Sequence, residues 1–326
     1  MRYRRFGRTG LEVSELVLGG GWVGGLLIHA DDDTRRRAVR LALDRGINWI
    51  DTAPSYGNGA SEEALGWLLG ELDERPHLST KVRLDPTHLH DIPAQIEDSV
   101  AASLRRLRCD SVTLLQLHNP IARQPAGGAV GVAHVLGPGG VAEAFDRLKA
   151  RGITQFTGIT ALGDGAACRQ VAASGRFDSA QVYYNILNPS AARVMPPAWT
   201  GHDFAELIAT CRAHDVAVMN IRVLAAGVLA TDERHGREVV ITSNTAIPDE
   251  ERRAHAVADA LGDAYGTRAQ TAIRFALANP DIACVLVGVA TLRHLQEALD
   301  AVDLGPLSDD ALARLEPLYA GDFGAA

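Results

Sequence analysis

Four residues have the types and placement for proton chemistry: Asp51, Tyr56, Lys81 and His118. Asp51 closes the apolar run INWID (47–51), Lys81 closes HLSTK (77–81) and His118 closes VTLLQLH (112–118). Tyr56 lies in the loop that follows Asp51. A free phenol, with a pKa near ~10, is a poor proton carrier at neutral pH. An ammonium beside it stabilises the phenolate, and a carboxylate beside the ammonium keeps that cation charged and in place. An imidazole nearby can orient a substrate oxygen or share in the relay. General acid–base help of this kind is worth about 10²–10⁴ in rate. Singly, each residue has a plainer use: Asp51 as a turn cap, Tyr56 as packing, His118 as a partner for backbone carbonyls. The combination points to a proton-transfer site.

Lysine usage supports it. Lys81 and Lys149 are the only two lysines among 32 basic residues. Arginine is a permanently charged planar fork, whereas lysine is a compact point charge with an adjustable pKa. A lysine kept at a strand end therefore suggests that arginine would not serve there. Lys149 fits an exposed helix C-terminus, where a cation meets the helix dipole.

These residues need elements to bring them together. RYRRFG and LEVSEL read as a hairpin turning through Gly7–Gly10. Strands are expected at 16–20, 47–51, 77–81, 112–118, 155–160, 180–185, 216–221 and 283–288. Helices are expected from about Asp32, where DDD supplies a cap, then near 61–71, 93–107, 141–151, 165–173, 203–213, 249–278 and 291–302. The strands are continuous apolar runs, as in a parallel sheet covered on both faces. Eight strand–helix alternations imply a (β/α)₈ TIM barrel, α/β in class, with catalytic groups where strands end and loops begin. The hairpin would close the bottom. A doubly wound open sheet is the competing architecture. No linker or low-complexity stretch divides residues 1–326, and the Gly/Pro stretch at 125–140 reads as an active-site loop.

Gly19, Gly21 and Gly24 spell G-x-G-x-x-G after an apolar run, which superficially matches a dinucleotide fingerprint. In the true motif the helix opens at the glycines and an acid follows about 20 residues on. Here GLLIHA intervenes, so the match is misleading, although close backbone approach to a cofactor is expected at Gly20 and Gly21.

Composition narrows the partners. Apolar residues make up 47% and charged residues 22%, enough for a substantial core, and the net charge is −8. No basic stripe is present, which argues against nucleic acid. No run approaches the ~18 apolar residues of a membrane span, and the two glutamates in LEVSELVLGG disqualify it as a signal-peptide core. Four scattered cysteines (109, 168, 211, 284) form no metal or disulfide pattern. The cytoplasm is the expected compartment.

DTAPSYGNGASEEALG (51–66) resembles the signature of the aldo-keto reductase superfamily, and STK (79–81) and LLQLHNP (114–120) resemble its lysine and histidine segments. The similarity runs from the hairpin through the last βα unit. It implies hydride transfer between NADP or NAD and an aldehyde, ketone or sugar carbonyl. Asp51, Tyr56, Lys81 and His118 are then the catalytic four. It further implies nicotinamide contacts at Thr160 and Gln181, with Ala161 in place of an Asn and Ile221 in place of a stacking aromatic. Arg222 would reach the pyrophosphate. VGVATLRHLQEAL (287–299) resembles the adenosine-phosphate segment: its helix N-terminus near Thr291 suits anions and Glu297 matches an adenine contact. Gly288 and His294 stand where basic residues usually hold a 2′-phosphate, with Arg293 one position away, so the NADP/NAD preference stays open.

Trp22 is a candidate apolar wall of the substrate pocket, or core packing against the hairpin; Trp199 is a second candidate. Two other functions compete: a nicotinamide-binding regulatory subunit with little turnover, and a Schiff-base aldolase using Lys81. The sequence does not specify the substrate, the reaction direction or the oligomeric state.

Overall fold

The computed structural model describes residues 1–324. A hairpin opens the chain, with β1 (Tyr3–Arg5) antiparallel to β2 (Glu12–Ser14). Then β3 (Leu16–Gly19) is followed by the short α1 (Leu26–His29) and α2 (Asp32–Asp44). Asp31 caps α2 by accepting from the Thr34 amide at 2.9 Å, with Asp32 and Asp33 in the first turn. Next come β4 (Trp49–Asp51), α3 (Ala60–Leu68), β5 (His77–Val82), α4 (Ile92–Leu107) and β6 (Val112–Leu117). The loop after β6 carries two short strands, β7 (Ile121–Ala122) and β8 (Val130–Gly131), and α5 (Val132–Leu136). The alternation resumes with α6 (Val141–Ala150), β9 (Thr154–Ala161), α7 (Gly165–Ala172), β10 (Ser179–Tyr183), α8 (Leu207–Ala213) and β11 (Ala217–Ile221). It ends with α9 (Ile247–Leu261), α10 (Arg268–Leu277), β12 (Cys284–Gly288), α11 (Leu292–Leu304) and α12 (Asp309–Ala320).

Eight strands close in the order β10-β11-β12-β3-β4-β5-β6-β9, every pair parallel. This is the (β/α)₈ barrel, and the open-sheet alternative falls with the closure. Departures from expectation are local. The helical stretch at 249–278 is two helices, because the backbone breaks at Gly262–Gly266 and Thr267 caps α10 afresh. The helix expected from 203 starts at Leu207, since Ala205 and Glu206 take left-handed φ values of 53° and 55°. Helix α12, capped by Ser308, was not expected.

Strand pleating sorts the barrel interior into two layers. Below, Val17, Trp49, Leu114, Met219, Cys284 and Leu286 pack against Phe6 and Val13 from the hairpin, forming an apolar plug. Phe6 and Trp49 meet at 4.9 Å between ring centroids. Above, the inward positions become polar: Asp51 is two residues beyond Trp49, and Gln116 two beyond Leu114. The register aligns those upper positions, pairing Gly19 with Asp51, Asp51 with Ser79, Lys81 with Gln116, and Thr160 with Gln181. Arg4 locks the hairpin in place, bonding Glu15 and the carbonyls of Leu277, Asn279 and Ile282.

Because Phe6 is fully buried in the lower plug, Phe6→Ala should destabilise the chain by about 3–5 kcal/mol in chemical denaturation. Ligand affinity at the opposite, upper rim should be unchanged; a loss there as large as the loss of stability would contradict the layered interior.

Candidate active site

The upper polar layer is built around Asp51. Its Oδ2 accepts from Lys81 Nζ at 2.5 Å, and its Oδ1 accepts from Ser79 Oγ at 2.7 Å and Gln181 Nε2 at 2.9 Å. Gln116 Nε2 reaches the same oxygen more loosely, at 3.4 Å. Ser79 is itself held by Trp49 Nε1 at 2.9 Å, linking the polar layer to the plug. Lys81 is fully buried and also donates to the Thr52 carbonyl at 2.8 Å. Burial by itself lowers an ammonium's pKa, but the charges and hydrogen bonding of Asp51 and Tyr56 outweigh it and hold Lys81 raised. The lysine is thus a fixed cation.

Tyr56 stands over that cation, its ring centroid 4.8 Å from Lys81 Nζ. His118 packs edge-on against the Tyr56 ring at 5.6 Å and 86°. The four residues predicted as catalytic are therefore brought together at one rim, from β4, β5, the end of β6 and the loop after β4. His118 Nδ1 faces Ser55 Oγ at 3.4 Å. Burial, then the cations of Lys81 and Arg83, push its pKa down to about 3, so the imidazole is neutral at ordinary pH.

The cofactor candidates are arranged around this centre. Gly20 donates its amide to the Asp51 carbonyl at 2.8 Å, and a Cβ there would meet Ser61 Oγ at 2.4 Å, so a larger residue would have to displace that hydroxyl. Gly21 borders Tyr56: a Cβ on it would lie 4.0 Å from the ring. Thr160 Oγ1 is buried at the top of β9 and lacks a hydrogen-bond partner. Gln181 is turned toward Asp51, as given above. Ile221 ends β11, and Arg222 follows with a left-handed φ of 61°, its Nη1 donating to the Val239 carbonyl at 2.5 Å. Burial lowers the Arg222 pKa, opposed by the charges of Tyr183, Tyr56 and Glu250. Glu250, buried beside Tyr183 and two arginines, is pushed up to about 7 by burial.

At the far end, Gly288 is exposed at the tip of β12, and Thr291 caps α11 by accepting from the His294 amide at 3.2 Å. Arg293 is exposed and His294 half-buried, with burial lowering the imidazole's pKa. The Glu297 carboxylate accepts from Thr267 Oγ1 at 2.5 Å, tying α11 to α10. Trp22 is 44% exposed and meets His29 edge-on at 5.0 Å, which rules out core packing against the hairpin. Trp199 packs on Arg253, at 5.0 Å, and on Phe323 near the chain's end.

Sequence reasoning missed Ser79 and Gln116, which hold Asp51, and Ser55 and Arg83 beside His118. The first two were open to inference, since each lies two residues before a predicted site residue on the same strand and so shares its face. Among the described residues no group of three or more His, Cys, Asp or Glu side chains could hold a metal, and no helix is long and apolar enough to cross a membrane. All four cysteines are free.

Asp51 depends on its cation. Lys81→Met should cost roughly 3–5 kcal/mol of unfolding free energy, because the carboxylate stays buried without its counter-charge. A loss below about 1 kcal/mol would mean that its neutral hydrogen bonds suffice.

Comparison with known proteins agrees with this architecture. The model of the Aldo/keto reductase family matches residues 15–320. The aldo-keto reductase YhdN of Bacillus subtilis (strain 168) is 39% identical over 127 residues, a stretch covering 37% of this chain and 38% of that protein. A probable voltage-gated potassium channel subunit beta of Arabidopsis thaliana is 26% identical over 327 residues, covering 94% and 93% of the two chains. Among solved structures, the holo form of aldo-keto reductase AKR11C1 from Bacillus halodurans shares the fold, with a TM-score of 0.74 at 24% identity and coverage of 98% and 96%. From the match over nearly its whole length, the chain belongs to the aldo/keto reductase family.

Proposed function

We propose that this chain is an NAD(P)-dependent oxidoreductase acting on an aldehyde, a ketone or a sugar carbonyl or lactol, with Tyr56 as the general acid and base. The observation that carries this reading is the Tyr56 phenol stacked over a buried lysine cation that Asp51 holds in place. A bound nicotinamide supplies or accepts the hydride. The residues present fit that group. The unpartnered Thr160 hydroxyl is a ready donor or acceptor for its carboxamide, and Gly20, Gly21, Gln181 and Ile221 surround the same rim. Arg222 is suited to the pyrophosphate. Gly288 leaves open space and Thr291 presents a helix N-terminus, while Arg293, His294 and Glu297 stand where the adenosine end would lie. Both NADP and NAD are compatible with this set.

In the reducing direction Tyr56 Oη gives its proton to the substrate oxygen, and the phenolate left behind is stabilised by Lys81. Asp51 keeps Lys81 from moving or losing its proton, and the Ser79 and Gln181 hydrogen bonds hold the Asp51 carboxylate in place. His118, as a neutral imidazole, donates an N–H that orients the substrate oxygen. In the oxidising direction each proton runs backwards through the same groups. Trp22, exposed near the rim glycines, is suited to cover an apolar part of the substrate; Trp199 would add to that wall only by leaving Arg253.

A second reading, a cofactor-binding regulatory subunit, draws on the likeness to the Arabidopsis channel subunit. The two separate in one experiment, a turnover screen of both cofactors against sugars and aldehydes. Cofactor binding with no turnover on any of them would favour the second.

In the enzyme reading, Tyr56→Phe should retain cofactor binding, followed by reduced-nicotinamide fluorescence, and lose about 10²–10⁴ of turnover. Turnover within a few-fold of the parent would remove Tyr56 from the role. His118 bears on the pH profile. Its pKa is depressed to about 3 in the folded chain, so no acidic limb near pH 6.5 should arise from its protonation. An NMR titration should find the ring neutral throughout pH 5–8, and a ring titrating near 6.5 would contradict the neutral-donor role.

A further inference from the structure

The proposed reaction makes no use of a cleft on the outside of the barrel, between α3 and α4. It has a volume of about 580 Å³ and its wall brings together Arg35, Arg105, Arg106 and Arg108, with Trp67 and alanines of both helices among them. Glu63 is the one carboxylate among the lining residues. This concentration of guanidinium groups occurs in a chain of net charge −8. Arg105 and Arg106 in the last turn of α4 complement the helix dipole. The dipole does not account for Arg35, which comes from α2, or for Arg108 beyond the helix end.

The state of these side chains points to a ligand. Arg105 and Arg108 are exposed, and among the described residues neither guanidinium has a carboxylate partner. Arg35 bonds Asp32 and the Ile28 carbonyl, which fixes its guanidinium at the cleft wall. Guanidinium groups bind phosphate oxygens in paired, charge-assisted hydrogen bonds. Trp67, with Arg36 lying over its ring at 5.2 Å, and the helix alanines form the smaller, apolar share of the wall, against which the organic part of the same molecule can rest.

Arg106 also reaches inward. Its guanidinium holds the fully buried Glu62, Nε to Oε2, at 2.7 Å, and Glu62 Oε1 accepts from Thr80 Oγ1 at 2.5 Å. Thr80 immediately precedes Lys81 on β5. The same arginine packs over the turn after Tyr56: a Cβ at Gly59, whose φ is 97°, would lie 2.9 Å from Arg106 Cδ. An anion in the cleft would therefore share Arg106 with a carboxylate that braces the strand and the turn carrying two of the four rim residues.

We propose that this outer cleft binds a multiply charged organic phosphate, at a site distinct from the rim, and that its occupancy is felt at the active centre through Arg106, Glu62 and Thr80. The test titrates ADP into the full chain already saturated with NADPH, so that the rim is occupied, with uncharged adenosine as control. NADH takes the place of NADPH if it alone binds, and failure of the cofactor reading would show separately, as absent binding of both reduced cofactors in the preceding titrations. ADP should bind, adenosine should not, and hydrogen exchange should slow in residues 60–67 and 102–108. The double variant Arg105→Ala/Arg108→Ala, whose basal turnover should be unchanged, should bind ADP at least about tenfold more weakly. Saturating ADP should change kcat at least about twofold in the parent, the size of a weak coupling between sites, and leave the double variant unaffected. Absence of ADP binding at about 10 mM, equal binding by the double variant, or protection elsewhere would overturn the site. Binding with kcat unaltered would overturn the coupling.

Discussion

Everything at the upper rim depends on a lysine ammonium held without water by a single carboxylate. An ion pair in a barrel interior is costly to desolvate, and the attraction repays that cost only when the remaining hydrogen-bonding capacity is also met. The interior meets it: Asp51 takes Lys81 on one oxygen and Ser79, Gln181 and Gln116 on the other, and Lys81 finds the Thr52 carbonyl. The pair cannot relax outward, because strands enclose it on all sides and the Trp49 plug lies beneath. What this rigidity provides is a cation in a fixed place below a phenol. Electrostatic stabilisation is most effective when the stabilising charge need not reorganise as the reaction proceeds.

The rest of the fold can be seen as the means of keeping that layer polar while all around it is apolar. Pleating alternates the strand residues between the interior and the helical coat. On β5, Ser79 and Lys81 face the interior, while Thr80 between them faces outward to Glu62 of α3. Glu62 is buried between helix and barrel, and Arg106 of α4 neutralises it. Two buried carboxylates, one inside the barrel and one outside, are therefore joined through adjacent residues of a single strand. The rim loops are tied down as well. Asn119 bonds the backbone of Leu84 in both directions, Arg222 anchors the loop after β11 at Val239, and Arg237 reaches the Val23 carbonyl.

The alternation of apolar runs with helical segments was enough to read eight βα units, because a strand covered on both faces and a helix covered on one leave different periodicities. The four rim residues were legible for a related reason: each is a polar group at or just beyond the end of an apolar run, where a barrel places its chemistry. The Asp31 cap and the two aspartates in the first turn of α2 could be read locally. The division of 249–278 into two helices was less so, since both halves keep helical periodicity and the break depends on backbone conformation around Gly262–Gly266. Helix α12, beyond the last strand, carried a readable cap at Ser308 that the strand–helix count had no place for.

What the sequence by itself determined is the alternation of eight strands with helices, the placement of chemistry where strands end, and the identity of the four converging groups. Only the tertiary structure decided their partners: that Gln181 turns to Asp51, that Thr160 is left without a hydrogen bond, that Trp22 is exposed while Trp199 packs on Arg253, and that Arg35, Arg105, Arg106 and Arg108 meet around one cleft. The reason is physical. Periodicity reports which face a side chain takes relative to its own strand or helix, and so is a local property. Which donor meets which acceptor depends on barrel closure, strand register and helix packing, which bring together residues as far apart as Asp51 and Gln181.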